Sequence, residues 1–208
     1  VRNFSEQGFS WLHIVDLNGA FEGRAVHKYL IEDMVKVADL KVQLGGGIRS
    51  VEALESWIRA GVARVILGTV ALHNPDFVKD ACKNFPGKIV VGIDGRKGMV
   101  AVNGWVEQSQ TPVVELGKRF EDEGVSAIIY TDIERDGAMS GVNLEATAAF
   151  ANSLSIPVIA SGGVSSMGDL RALKKLETRN VEGVIVGRAL YQGGIDPQKA
   201  LALMAEIC

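Results

Sequence analysis

The chain has 208 residues, 47% of them hydrophobic, with 22 basic and 25 acidic side chains for a formal charge of -3, and 2 cysteines. That length can bury one large α/β core, and the near balance of charge, with no basic run, excludes the electrostatic footprint of a nucleic-acid binder. No apolar run reaches membrane-spanning length, no signal segment opens the chain, and Cys82 and Cys208 show no metal-ligand spacing. A cytoplasmic protein without metal or membrane contact is therefore expected.

Along the chain, 1–8 reads as the end of a helix, and apolar runs at about 11–16, 41–45, 64–68, 88–93, 127–131, 157–160 and 183–187 predict strands. They are rich in Val and Ile and nearly continuous rather than alternating, the pattern of a parallel sheet covered on both faces. Helical period falls between them, over 50–60, 74–84, 111–123, 143–153, 165–176 and 196–205. Ser50 is a candidate N-cap, and Asn74 followed by Pro75 and Asp76 is another. Such unbroken alternation predicts a barrel or an open doubly wound sheet.

The chain also repeats itself. Val42-Gln43-Leu44-Gly45-Gly46-Gly47-Ile48 returns as Val158-Ile159-Ala160-Ser161-Gly162-Gly163-Val164, an offset of 158 − 42 = 116, and Leu12 to Leu17 matches Ile128 to Ile133 at the same offset. Val65 to Leu72 matches Val184 to Tyr191 at 184 − 65 = 119. Asp94, by contrast, has its partner position at 94 − 116 = −22, before Val1. A (β/α)8 TIM barrel of two homologous half-barrels, about 1–87 and 88–208 in a single domain spanning 1–208, closes once a first strand upstream of Val1 is restored.

In that fold the chemistry lies at the carboxyl ends of the strands, where Asp16, Asp94, Asp132 and Asp136 fall. Asp94, followed by the turn-forming Gly95-Arg96-Lys97-Gly98, reads as either a loop cap or a general acid at the barrel mouth, and Asp136 as an Asx-turn residue or a competing acid. Asp16 and Asp132, matched in the repeat, are expected to bond their neighbouring loops. Gly45-Gly46-Gly47 and Gly162-Gly163 permit close backbone approach to a phosphate at the start of a helix, with Gly68-Thr69 and Gly187-Arg188 completing each site. Two such sites imply a ligand with two phosphates. Arg49 is placed to reach a phosphate or a carboxamide, or simply solvent. Trp105 is placed either to stack on a flat heterocycle or to pack under its own loop. His13 reads as a strand residue satisfied by a neighbour.

Trp11-Leu12-His13-Ile14-Val15-Asp16-Leu17-Asn18-Gly19-Ala20, Gln43 to Arg49, Val91-Gly92-Ile93-Asp94, Asn103-Gly104-Trp105, Tyr130 to Gly137 and Ala160 to Val164 together resemble the phosphoribosylformimino-5-aminoimidazole carboxamide ribotide isomerases of histidine biosynthesis. The resemblance runs over the whole chain and implies an Amadori rearrangement of a bisphosphorylated ribonucleotide by acid–base catalysis, without cofactor. It assigns the base to an aspartate ending a first strand outside this sequence, the proton donor to Asp94 with Asp136 as competitor, and a neighbouring hydroxyl to Thr131. A monomer is expected. The cyclase subunit of imidazole glycerol phosphate synthase and a non-catalytic phosphosugar-binding barrel are the alternative readings, and a second activity on phosphoribosyl anthranilate remains open.

Overall fold

Each of the seven apolar runs forms a strand in the computed structural model, which describes residues 1–176 and 180–205. Cys208 lies outside the described residues. After a short helix α1 (Arg2–Glu6) come β1 (Trp11–Val15), α2 (Leu17–Glu22), α3 (Lys28–Val37), β2 (Lys41–Gly45), α4 (Val51–Arg59), β3 (Arg64–Leu67), α5 (Thr69–His73) and α6 (Pro75–Asn84). Then follow β4 (Ile89–Arg96), β5 (Met99–Val102), β6 (Glu107–Pro112), α7 (Val113–Lys118), β7 (Ala127–Asp132), α8 (Leu144–Asn152), β8 (Val158–Ser161), α9 (Met167–Lys174), β9 (Val181–Val184), α10 (Arg188–Tyr191) and α11 (Pro197–Ala205). Parallel strands alternating with helices in this order make the (β/α)8 fold class.

Two compact units are distinguished: Val1–Gly92 with Val102–Glu107 and Asp122–Ser126, and Ile93–Ala101 with Gln108–Glu121 and Ala127–Cys208. In the first, β1, β2, β3 and the start of β4 pair in parallel, with His13 opposite Gln43 and Val65 opposite Ile89. Val42, Leu44, Val65, Leu67, Val90 and Val91 are buried, as strands covered on both faces require. The strand β1 has β2 as its one neighbour among the described residues and leaves Trp11 and Val15 exposed. The Trp11 ring is flanked by the Arg64 guanidinium at 4.7 Å and the Lys41 ammonium at 5.5 Å. The candidate caps act as read: Ser50 accepts from Ala53 N–H, and Asn74 from Phe77 N–H ahead of Pro75.

In the second unit β7, β8 and β9 pair in parallel, with Ile129 opposite Ile159 and Thr131 opposite Ser161. Tyr130 stacks on Phe150 with ring centroids 4.6 Å apart. A β-carbon on Gly95 would fall 2.9 Å from that tyrosine ring, so glycine lets β4 approach β7.

Three local expectations are corrected. The run 183–187 forms its strand earlier, at Val181–Val184, with a register shift between Val158 and Ile159, and Val186 and Gly187 lie beyond the strand. The helix expected over 111–123 is limited to Val113–Lys118: Thr111 and Pro112 end β6, and Asp122 and Gly124 take positive φ. Finally, Gly95-Arg96 is strand rather than turn. Lys97 and Gly98, at φ 50° and 78°, make the two-residue turn between β4 and β5, the geometry that suits the right-handed twist of a hairpin.

Candidate functional site

The glycine corner of the first unit is built around Asp16. Its carboxylate accepts from the N–H groups of Gly19 (2.9 Å), Val26 (2.8 Å) and His27 (3.0 Å), gathering the loop between β1 and α3. Desolvation pushes this carboxyl up, but the His27, Gly19 and Val26 donors together outweigh it and hold its pKa below the usual carboxylate value. Gly46 and Gly47 run at φ 110° and 71° directly against that loop. A β-carbon on Gly46 would collide with the Asp16 carbonyl, and one on Gly47 with the Gly19 carbonyl. Arg49 turns back to the same loop, where its guanidinium donates to the Ala20 carbonyl at 3.3 Å.

The second unit repeats the corner with other partners. Asp132 accepts from Glu134 N–H (3.1 Å) and from the Asn143 amide (2.8 Å). Asn143 also caps α8, accepting from Ala146 N–H. Gly162 and Gly163, at φ 94° and 83°, press against the carbonyls of Asp132 and Gly141 respectively. Behind them Ser166 and Asp169 form a reciprocal capping box on α9, and Asp169 also accepts from Ser165. In both units, then, the glycines lock one loop onto the next. None of the N–H groups of Gly46, Gly47, Gly162 and Gly163 donates to another described backbone carbonyl. The expectation that Asp16 and Asp132 bond their neighbouring loops is met in both copies.

Around the candidate acids, Ile133 N–H donates to the Gly95 carbonyl at 3.1 Å, which brings the Asp94–Gly95 segment of β4 level with the end of β7. Asp94 is half-buried and lies opposite Ala101 in the hairpin, two residues before the strand ends, rather than closing it. Thr131 is buried. One helical turn follows it, with Asp136 N–H donating to the Asp132 carbonyl at 3.0 Å. The Asp136 side chain sits on this turn with its residue exposed, yet the loop strips enough water from it to raise its pKa above the usual value, against a smaller opposing effect of the Gly137 N–H.

Gly68 and Gly187 stand at the next turn of each unit. Thr69 Oγ1 accepts from Asn103 N–H at 3.1 Å, and the Arg188 guanidinium donates to the Gly137 carbonyl. Trp105, 37% exposed, stands on the turn that Thr69 contacts. Phe21 joins this turn: a β-carbon on Gly104 would fall 2.6 Å from its ring. Phe21 and Asn143 are not among the candidate site residues read from the sequence, although 143 opens the helical stretch expected over 143–153. His13 Nδ1 accepts from the Gln43 side-chain amide N–H at 3.1 Å, and desolvation pushes its pKa down to about 4.

Among the described residues no helix is long and apolar enough to cross a membrane. Residues 1–196 match the family model described as histidine biosynthesis protein. Over 204 residues the chain is 57% identical to a protein of Chelativorans sp. (strain BNC1), covering 98% of this chain and 84% of that protein. It is 59% identical over 202 residues to a protein of Rhodospirillum centenum, covering 97% and 82%, and 56% identical over 207 residues to one of Azospirillum brasilense, covering 100% and 82%. All three relatives are named 1-(5-phosphoribosyl)-5-((5-phosphoribosylamino)methylideneamino) imidazole-4-carboxamide isomerase.

Proposed function

This chain belongs to the histidine biosynthesis protein family, and we propose that it is an isomerase that acts on the two-phosphate ribonucleotide its relatives are named for, within one domain. The observation that carries the reading is the twinned glycine corner: two equivalent strand ends, each with two positive-φ glycines ahead of a capped helix. Backbone N–H groups there suit a phosphate, so each corner would hold one end of the ligand. Gly46, Gly47, Gly68 and Thr69 belong to one site, and Gly162, Gly163, Gly187 and Arg188 to the other.

The reaction is an Amadori rearrangement. An acid protonates the ribose ring oxygen as the bond from C1 to that oxygen breaks, giving the open Schiff base. A base then removes the C2 proton, and the resulting enolamine tautomerises to the aminoketose. We assign the acid to Asp94, half-buried on β4 at the level of the end of β7, with Asp136, whose carboxyl partial desolvation raises above the ordinary value, as its competitor. Thr131 stands beside the same strand ends as a polar neighbour, and Trp105 offers a ring for the heterocycle.

Incubation with the substrate named for the relatives, following formation of the ribulosyl isomer, tests the reading. Asp94→Asn is expected to lower kcat by about 10²- to 10⁴-fold with little change in binding. If Asp94→Asn retains near-normal turnover while Asp136→Asn abolishes it, the donor is Asp136. Absence of both turnover and binding would overturn the isomerase reading.

A further inference from the structure

The residues that follow Gly68 and Gly187 do the same mechanical job with different chemistry. Thr69 opens α5 and accepts the N–H of a residue 34 positions on, and Arg188 opens α10 and donates to a carbonyl 51 positions back. The loops they reach are both held in unusual backbone conformations. Asn103, Gly104 and Trp105 take φ of 54°, 65° and 71° in succession, so two residues with side chains occupy the left-handed region beside a glycine. In the other loop Gly137 and Met139 take φ of 65° and 53°. Such conformations persist only where surrounding contacts hold them, and they gather where a loop must be pre-set.

We propose that Thr69 and Arg188 are positioning residues: Thr69 latches the turn that carries Trp105, and Arg188 latches the loop that carries Asp136. The inference rests on the proposed isomerase site and adds to it a device that sets two of its groups. A hydroxyl can accept the Asn103 N–H and still give its own proton to a phosphate, and a guanidinium has donors to spare after Gly137. Each latch can therefore remain closed while its residue meets the ligand. Phe21 backs the first latch, its ring filling the space beside Gly104.

The test begins in the unliganded protein. Thr69→Val keeps the shape and removes the oxygen, whereas Thr69→Ser keeps the oxygen. Trp105 emission, isolated by subtracting the emission of the matching Trp105→Phe chain, should become about two- to tenfold more open to acrylamide quenching in Thr69→Val, the population change that one hydrogen bond governs. Thr69→Ser should match the parent. In parallel, Arg188→Met should speed tryptic cleavage after Arg135 by a similar factor, with circular dichroism confirming the folded state. Should Thr69→Val not fold, Thr69→Ala carries the same expectation. Reduced kcat in the quenching-sensitive variants, restored by serine, supports the positioning role. Parental quenching in a folded valine or alanine variant together with parental cleavage in folded Arg188→Met overturns it, as does altered quenching with unchanged kcat. A parent chain with neither turnover nor substrate binding counts against the isomerase reading alone, because quenching and cleavage still decide whether the latches exist.

Discussion

Across β1 and β2, His13 faces Gln43, and across β7 and β8 the residues at the same repeat positions, Ile129 and Ile159, face each other. The backbone ladder is the same, but one copy joins a half-buried His13 to a buried Gln43 by a 3.1 Å hydrogen bond, and the other buries an aliphatic pair. The corners differ in the same way. Asp16 collects three backbone N–H groups, while Asp132 takes one N–H and a side-chain amide. Duplication thus preserved the backbone device, a strand-end carboxylate under a pair of glycines, and left the choice of partner free. It is in the second copy that the turn after the carboxylate bears an aspartate, Asp136, with a raised pKa.

Substituting the glycines tests the shared part of this comparison, and the effect should be the largest. Gly46→Ala and Gly162→Ala should each destabilise by about 3 kcal/mol, since both combine a left-handed φ with a collision against a carbonyl. Gly187→Ala, whose β-carbon would meet nothing within 4 Å, should change stability by less than about 0.5 kcal/mol. Urea midpoints measure all three, and equal values would show that the corners tolerate side chains.

The polar pair should make the first copy alone sensitive to mild acid. Folded His13 has a pKa of about 4 against an ordinary 6.5, so both states are neutral above 6.5, and as pH falls from there to about 4 only the unfolded chain gains the proton. Folding stability should decline over that interval by about 2–3 kcal/mol. The double variant His13→Ile with Gln43→Ile, which gives the first copy the second copy's residues, should flatten that decline. An unchanged slope in its unfolding free energy between pH 6.5 and 4 would remove His13 as the cause.

Asp16→Ala should cost about 2 kcal/mol and Asp132→Ala about 1 kcal/mol, in proportion to the charged hydrogen bonds lost. The pH profiles should sharpen the contrast. Because the folded Asp16 pKa is depressed, its contribution is present above the ordinary carboxylate pKa and is lost as pH falls through the folded value, so Asp16→Asn should blunt the acid limb of stability. Acid titrations monitored by circular dichroism would reveal an unblunted limb if other groups dominate.

Much of the frame was legible in the sequence. Continuous Val and Ile runs gave the seven parallel strands because burial on both faces leaves no alternation to misread. The matched places of Asp16 and Asp132 in the repeat point to their shared loop-bonding. The glycines were legible too, but with one reason missing: the sequence suggested room for a phosphate, and the structure adds that Asp16 and Asp132 present carbonyls where a side chain would stand. The β4–β5 hairpin was missed although Lys97-Gly98 between two apolar runs carries its signal, since Asp94 drew the segment toward a loop.

By itself the sequence determined the order of strands and helices, the duplication, and the places where the backbone needs glycine, because hydrophobic period and permitted φ are properties of short stretches. Tertiary structure decided which atoms those stretches meet. That Thr69 holds Asn103, that Arg188 holds Gly137, and that Asp136 is partly desolvated all depend on groups brought together by the fold, two of the contacts spanning 34 and 51 residues. Local pattern encodes what a segment can become, whereas a hydrogen-bond partner or a shifted pKa exists only after distant segments have excluded water around it.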